Sequence, residues 1–124
     1  MAIIPVLRCI RIKPSVDFYT KVLDFKLADD DALSDPAFIF LRRAGDLLAL
    51  SSHGNGPVQR SVVCVMIEDV DGLFERFLAR GLKPVKPESP VHQGPTDQTW
   101  GTREFYVDDP DGNTLAFTQA ATRS

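Results

Sequence analysis

A stretch near the middle of the chain returns near its end. Phe38-Ile-Phe-Leu-Arg-Arg-Ala-Gly45-Asp-Leu-Leu-Ala-Leu50 lies over Phe105-Tyr-Val-Asp-Asp-Pro-Asp-Gly112-Asn-Thr-Leu-Ala-Phe117 at a constant offset of 67, with phenylalanine, glycine, leucine and alanine matching and Leu50 over Phe117. Each copy reads as strand, turn, strand, so the chain is constrained to two like modules. At 124 residues, two modules sharing one core bury about two thirds of their surface, enough to fold without metal or disulfide staples.

The residues around the repeat extend the duplication. In the first half, Ile3 to Arg11 is apolar and β-branched enough for a strand, and Pro14 suits the opening turn of a short helix. Val16, Tyr19, Val22 and Leu23 make one apolar stripe, with Asp17 and Lys21 as an exposed i,i+4 pair. Strands are expected over 25–28, 37–42 and 47–52. The second half offers a strand over 61–68, and Asp69 is placed to cap a helix carrying Leu73, Phe74, Phe77 and Leu78. That helix ends at Arg80-Gly81, followed by a strand over 82–85, a proline-rich loop over 86–99 and strands over 102–108 and 114–119. The order β-α-β-β-β thus occurs twice. The fold class is α+β, a single domain over 1–124 with modules 1–52 and 61–119 joined by the turn-rich loop 53–60.

Charge and cysteine content narrow the function. Fourteen basic residues against seventeen acidic ones give −3, and no Lys/Arg stripe could neutralise several phosphates, so nucleic acid is disfavoured. No apolar run has the length of a spanning helix, and Met1-Ala2-Ile3-Ile4-Pro5 lacks the basic start of a leader, so no membrane and a cytoplasmic setting are expected. Cys9 and Cys64 lie in separate strand-like stretches and read as buried free thiols, not a zinc knuckle or a redox pair.

Asp109-Pro110-Asp111-Gly112-Asn113 is a tight-turn sequence: proline presets φ, the Asp side chains bond nearby amides and glycine accepts φ > 0. With those five residues as the loop, Asp108 pairs with Thr114, Tyr106 with Ala116 and Glu104 with Thr118 on one face, leaving Phe105, Val107, Leu115 and Phe117 on the other. The offset of 67 then sets Ile39 opposite Ala49, with Phe38, Phe40, Leu48 and Leu50 behind. The face lined by Leu47, Ala49, Ser51, Thr114, Ala116 and Thr118 is the expected wall of a cleft. Alternation adds Arg8 to it, as a ligand anchor or an ion pair with Glu104 or Glu68. Cys64 and Met66 add a soft, adaptable wall. Trp100 either stacks on a planar ligand or packs on its own loop. Asp29, Asp30, Asp31 and Asp35 either attract a cationic ligand or, as charge runs usually are, are simply solvated, and His53 and His92 read as solvated loop residues.

Pro5-Val-Leu7, Ser15-Val-Asp-Phe-Tyr19 with Val22-Leu-Asp-Phe25, Glu68-Asp-Val-Asp71 before Ala79-Arg-Gly81, and Trp100-Gly-Thr-Arg-Glu-Phe105 leading to Asp109-Pro-Asp-Gly-Asn113 together make the chain resemble the vicinal oxygen chelate superfamily, which holds glyoxalase, extradiol dioxygenases and fosfomycin- and bleomycin-resistance proteins. The last stretch is most similar to the bleomycin-resistance branch. The resemblance implies curved mixed sheets around a cleft and a homodimer. In metal-dependent members it implies a divalent ion held from the first and last strand of each module, which in this chain are Ile4, Ala49, Val62 and Ala116. Alkyl groups offer no lone pairs, so no metal and no cofactor are expected. The resulting expectation is a metal-independent protein that sequesters a small, partly aromatic or cationic molecule, such as a glycopeptide-type or planar antibiotic. Its ligand-binding residues would be Arg8, Ile39, Ala49, Ser51, Cys64, Met66, Trp100, Glu104 and Tyr106, with no catalytic residue. The alternative is an enzyme of the same superfamily, either a metal-dependent lyase or dioxygenase whose ligands lie at other positions, or a metal-free isomerase with Glu104 and Tyr106 as an acid and phenol pair that handles protons.

Overall fold

The structure, a computed structural model, describes residues 1–28, 37–54, 60–83 and 94–120. Asp29, Asp30, Asp31, Asp35, His92 and most of the expected loop over 86–99 lie outside the described residues. The described elements are β1 (Val6–Arg8), α1 (Ile12–Asp17) running into a π-helical turn (Phe18–Val22), β2 (Lys26–Leu27), β3 (Phe38–Arg43), β4 (Asp46–Ser51), β5 (Val62–Met66), α2 (Val70–Ala79), β6 (Thr96–Asp97), β7 (Thr102–Asp108) and β8 (Thr114–Ala120). They form two four-stranded mixed sheets of identical topology, β1-β4-β3-β2 and β5-β8-β7-β6, in which the first strand of each half lies parallel to its last. This is the α+β fold expected from the duplicated β-α-β-β-β order. Among the described residues no helix is long and apolar enough to cross a membrane.

The chain divides into two compact units, Met1–Ser61 with Asp109–Asn113, and Val62–Asp108 with Thr114–Ser124. In the first, the helical segment begins at Ile12, so Pro14 sits within the opening turn, where its missing N–H costs no helical bond. Tyr19 and Leu23 from the expected stripe are fully buried, and Lys21 lies 3.9 Å from Asp17 as the spacing requires. In the second, the Asp69 carboxylate accepts the Gly72 N–H at 3.0 Å at the start of α2. Gly81 closes the helix at φ 104, with Gly81 N–H bonded to the Leu78 carbonyl and Leu82 N–H to the Phe77 carbonyl. That cap uses the Leu82 amide, and no strand forms at Leu82 and Lys83; the third strand of this half is instead Thr96–Asp97, inside the expected loop. Phe77 and Phe74 pack edge-on against Phe105, and Phe77 against Phe117, which stacks on Phe105 at 5.1 Å. Full burial of Phe77, Phe105 and Phe117 contributes about 1.5–3 kcal/mol each.

The loop Asp109–Asn113 takes the turn expected of it, with Asp109 N–H bonded to the Asn113 carbonyl at 2.8 Å and Gly112 at φ 87. Its strands belong to the second unit, yet its side chains complete the first. Asp109, only 5% exposed, accepts from its own loop's Asp111 and Asn113 amides at 2.9 Å each, from the Asn113 side chain at 3.0 Å and from the Tyr19 phenol at 2.8 Å. Asn113 in turn donates to the Arg8 carbonyl and accepts from the Ser61 amide, both at 3.0 Å. Asp111 receives the Ser15 hydroxyl at 2.9 Å and the Ile10 amide at 3.0 Å. Asp109→Ala strips four donors of their acceptor at once, and buried donors left unmade are costly, so the urea midpoint should fall by an amount equivalent to about 3 kcal/mol. A midpoint equal to that of the parent protein would show that water replaces the carboxylate without cost.

Candidate functional site

In each unit the helix covers one sheet face, and alternation along the strands decides which side chains occupy the other. The second unit follows the expected register: Glu104 pairs with Thr118, Tyr106 with Ala116 and Asp108 with Thr114. Phe105 and Phe117 meet α2, so Glu104, Tyr106, Ala116 and Thr118 stand on the helix-free face. The parallel neighbour β5 adds Cys64 beside Ala116 and Met66 beside Thr118. Across the sheet run two rows, Met66–Thr118–Glu104–Thr96 and Cys64–Ala116–Tyr106.

The first unit departs from the expected register by one residue. Ile39 pairs with Leu50, and Ala49 pairs with Phe40 and Val6. Ile39 therefore lies at 9% exposure on the face it shares with Leu41, Leu48 and Leu50, and is removed from the helix-free face on which it was expected. Phe38 and Phe40 replace it there, beside Ser51 and Ala49, with their rings edge to face at 5.3 Å. The reason is loop parity. Between the equivalent pairs Arg42–Leu47 and Asp108–Thr114 stand four residues in the first hairpin and five in the second, so no constant offset matches both strands of both hairpins. The shorter connection turns at Ala44-Gly45, with Ala44 at φ 57.

Arg8 pairs with Ser51 on the helix-free face, as alternation required, and its guanidinium rests against Gly54. Trp100 is 65% exposed at the tip of the β6–β7 hairpin, where the Gln98 N–H bonds the Thr102 carbonyl at 2.7 Å. His53 is exposed just past β4, its amide donating to the Ser51 hydroxyl at 3.3 Å. Cys9 is buried, but Cys64 is exposed, because it projects from an edge strand on the side away from α2; the expectation of two buried thiols holds only for Cys9.

Glu104, Tyr106, Thr118 and Cys64 form one connected polar group. Tyr106 donates to one Glu104 oxygen at 2.6 Å, Thr118 to the other at 3.1 Å, and the Cys64 thiol donates to the Thr118 hydroxyl at 3.5 Å. Glu104 is 7% and Thr118 3% exposed. Thr118, absent from the expected ligand set, was legible from its pairing with Glu104. The Tyr106 phenol is pushed up to about 12, chiefly because its proton is held by Glu104 and then by burial and the carboxylate's charge. On the opposite face, Arg103 grips Asp71 of α2 through two bonds of 2.8 and 3.0 Å and reaches Asp97 at 3.2 Å, which holds the Asp71 carboxyl below its usual range.

The positions where the resemblance implies a divalent ion are Ile4, Ala49, Val62 and Ala116. The register puts Ala49 between Val6 and Phe40, Val62 beside Thr114 and Ala116 between Cys64 and Tyr106. Their alkyl side chains have no lone pairs, so this donor set does not fit an ion.

Duplicated β-α-β-β-β sheets with parallel first and last strands agree with a family model, that of the Glyoxalase/Bleomycin resistance protein/Dioxygenase superfamily, which matches residues 5–117. The chain belongs to this superfamily. The same fold recurs in the crystal structure of a bleomycin-binding protein complexed with bleomycin, at 23% identity and a TM-score of 0.78, covering 96% of this chain and 98% of that one. A bleomycin resistance determinant encoded on the transposon Tn5 is similar at 21% identity and a TM-score of 0.79, covering 98% and 99%. TioX from Micromonospora sp. ML1 is similar at 23% identity and 0.73, covering 97% and 98%. No curated protein matches the chain. At these identities the likeness to solved structures speaks for the fold, and the superfamily's chemistry in this chain has to be argued from its own side chains.

Two measurements check the site as described. Tyr106 holds its proton more tightly in the folded state than in the unfolded one. The stabilisation is therefore complete below the ordinary phenol value of about 10 and is lost as pH rises through about 12. Tyr19 is raised as well, by burial first and by Asp109 next. Ultraviolet titration should show almost no tyrosinate at about pH 10, and Tyr106→Phe should remove the component near 12. A thiol reagent should modify Cys64 rapidly in the native protein and Cys9 only on unfolding, so that Cys64→Ser abolishes the fast phase.

Proposed function

We propose that the protein binds and sequesters a small, partly aromatic or cationic molecule against a helix-free sheet face, and that it does so without a metal ion. The carrying observation is that hydrocarbon stands at Ala49, Val62 and Ala116, where catalytic relatives would need lone pairs, while side chains suited to holding a guest surround those positions. On the first sheet these are Phe38, Phe40, Ser51 and Arg8; on the second, Cys64, Met66, Glu104, Tyr106 and Thr118, with the exposed indole of Trp100 at the hairpin tip. Aromatic rings supply large contact area at low entropic cost, sulfur adapts to shape, and hydroxyls and a carboxylate orient. Two solved structures of the same fold are a bleomycin-binding protein and a bleomycin resistance determinant, which supports a binding role. A homodimer is part of this reading.

The Tyr106–Glu104 bond of 2.6 Å favours one second reading, metal-free proton transfer. A carboxylate and a phenol in direct contact are able to take a proton from a carbon acid and return it to oxygen. Turnover that vanishes in Tyr106→Phe with unchanged melting would replace binding by catalysis.

The direct test titrates the purified protein with bleomycin and with planar aromatic amines, following Trp100 emission and melting temperature. Saturable quenching with a dissociation constant in the micromolar range or tighter and a melting rise of several degrees are expected, because a ligand at 100 times its dissociation constant adds about 2.7 kcal/mol. Sedimentation of the same samples reads whether the bound species is a dimer. Unchanged emission and melting at millimolar ligand would remove the proposal.

A further inference from the structure

Glu104 presents a charge problem that the described protein does not solve. Its side chain is 7% exposed, and what holds it are two neutral groups, the Tyr106 phenol and the Thr118 hydroxyl. Among the described residues no lysine, arginine or histidine pairs with it. Carboxylates buried this deeply are ordinarily matched by a cation, because a charge withdrawn from water loses solvation that neutral donors restore only in part. The basic residue next along the strand, Arg103, points the other way and commits its three guanidinium nitrogens to Asp71 and Asp97.

We propose that Glu104 is a recognition point for an organic cation bearing N–H donors, an ammonium or guanidinium group of the guest, with Tyr106 and Thr118 fixing the carboxylate that receives it. The proposal rests on reading the helix-free face as a ligand surface and adds what that surface selects. An ionised carboxylate has roughly four lone-pair sites, and the two hydroxyls use one on each oxygen, so acceptor capacity remains on both. The hydroxyls also hold the carboxylate in one orientation, which spares a bound cation the cost of ordering its partner. Beside this anchor the surface is apolar and soft, with Met66 61% exposed in the same row and Cys64 exposed in the next. A head carrying positive charge on a hydrocarbon or aromatic body matches both parts.

The experiment compares 1-naphthylethylamine with its N-acetyl derivative, which keeps the ring and loses the charge, by calorimetry on the full chain. In parallel, methylammonium is compared with tetramethylammonium, which has no N–H, by the shifts of the Glu104, Tyr106 and Thr118 amide signals. At least tenfold tighter binding of the amine is expected, falling to parity in Glu104→Gln, together with saturable shifts from methylammonium alone. Equal affinity for amine and amide in the parent protein overturns the cation proposal and leaves the binding function standing. If neither naphthyl compound binds but methylammonium shifts the three signals saturably, the cation site stands and the aromatic guest falls. Silence in all arms overturns the site. Should Glu104→Gln fail to fold, the comparisons in the parent protein decide alone.

Discussion

The carboxylate of Asp109 is the interaction on which the first unit most depends. It receives four donors, three from its own loop and one from Tyr19, ninety positions earlier in the chain. A turn that satisfied itself alone would project its polar groups into water. Here Asp111 and Asn113 also take up the amides of Ile10 and Ser61 and the carbonyl of Arg8, polar groups at the end of β1, just past it, and just before β5. Burying so many polar atoms is tolerable only because each has a partner, and the set is therefore sensitive to the loss of any one.

Identical topology carries different chemistry in the two units. Superposing the rows, Phe40 in the first sheet stands where Tyr106 stands in the second, Phe38 where Glu104 stands, and Ser51 where Thr118 stands, around alanines at 49 and 116. One helix-free face thus offers two aromatic rings and a guanidinium, the other an acid held by hydroxyls with two sulfurs beside it. A small residue, Ala49 or Ala116, stands at the same place in each sheet, while the side chains around it differ.

Legibility in the sequence followed the range of the forces involved. The Asp69 cap, the Gly81 terminator, the Asp17–Lys21 pair and the Asp109–Asn113 turn each depend on residues within a few positions of one another, and each took the expected form. The strand over 82–85 did not form at Leu82 and Lys83, because the helix cap claimed the Leu82 amide, a competition that apolar character alone does not register. Faces were correct in the second hairpin, whose five-residue loop is explicit in its turn formers. They were inverted for β3 in the first, where Ala44-Gly45 carries a weaker signal and one residue of difference exchanges Ile39 for Phe38 and Phe40.

By itself, then, the sequence determined the repeated β-α-β-β-β order, the caps and turns that bound its elements, and the hydrocarbon character of the positions where the resemblance implies an ion, since all of these are properties of neighbouring residues or of side-chain type. Only the tertiary structure decided that Asp109 would meet Tyr19, that Cys64 would be exposed, and that Glu104 would be buried with hydroxyls and without a basic partner among the described residues. Those outcomes depend on which strands become neighbours and at what register, and pairing across the sheet is set by long-range contacts that no local pattern encodes.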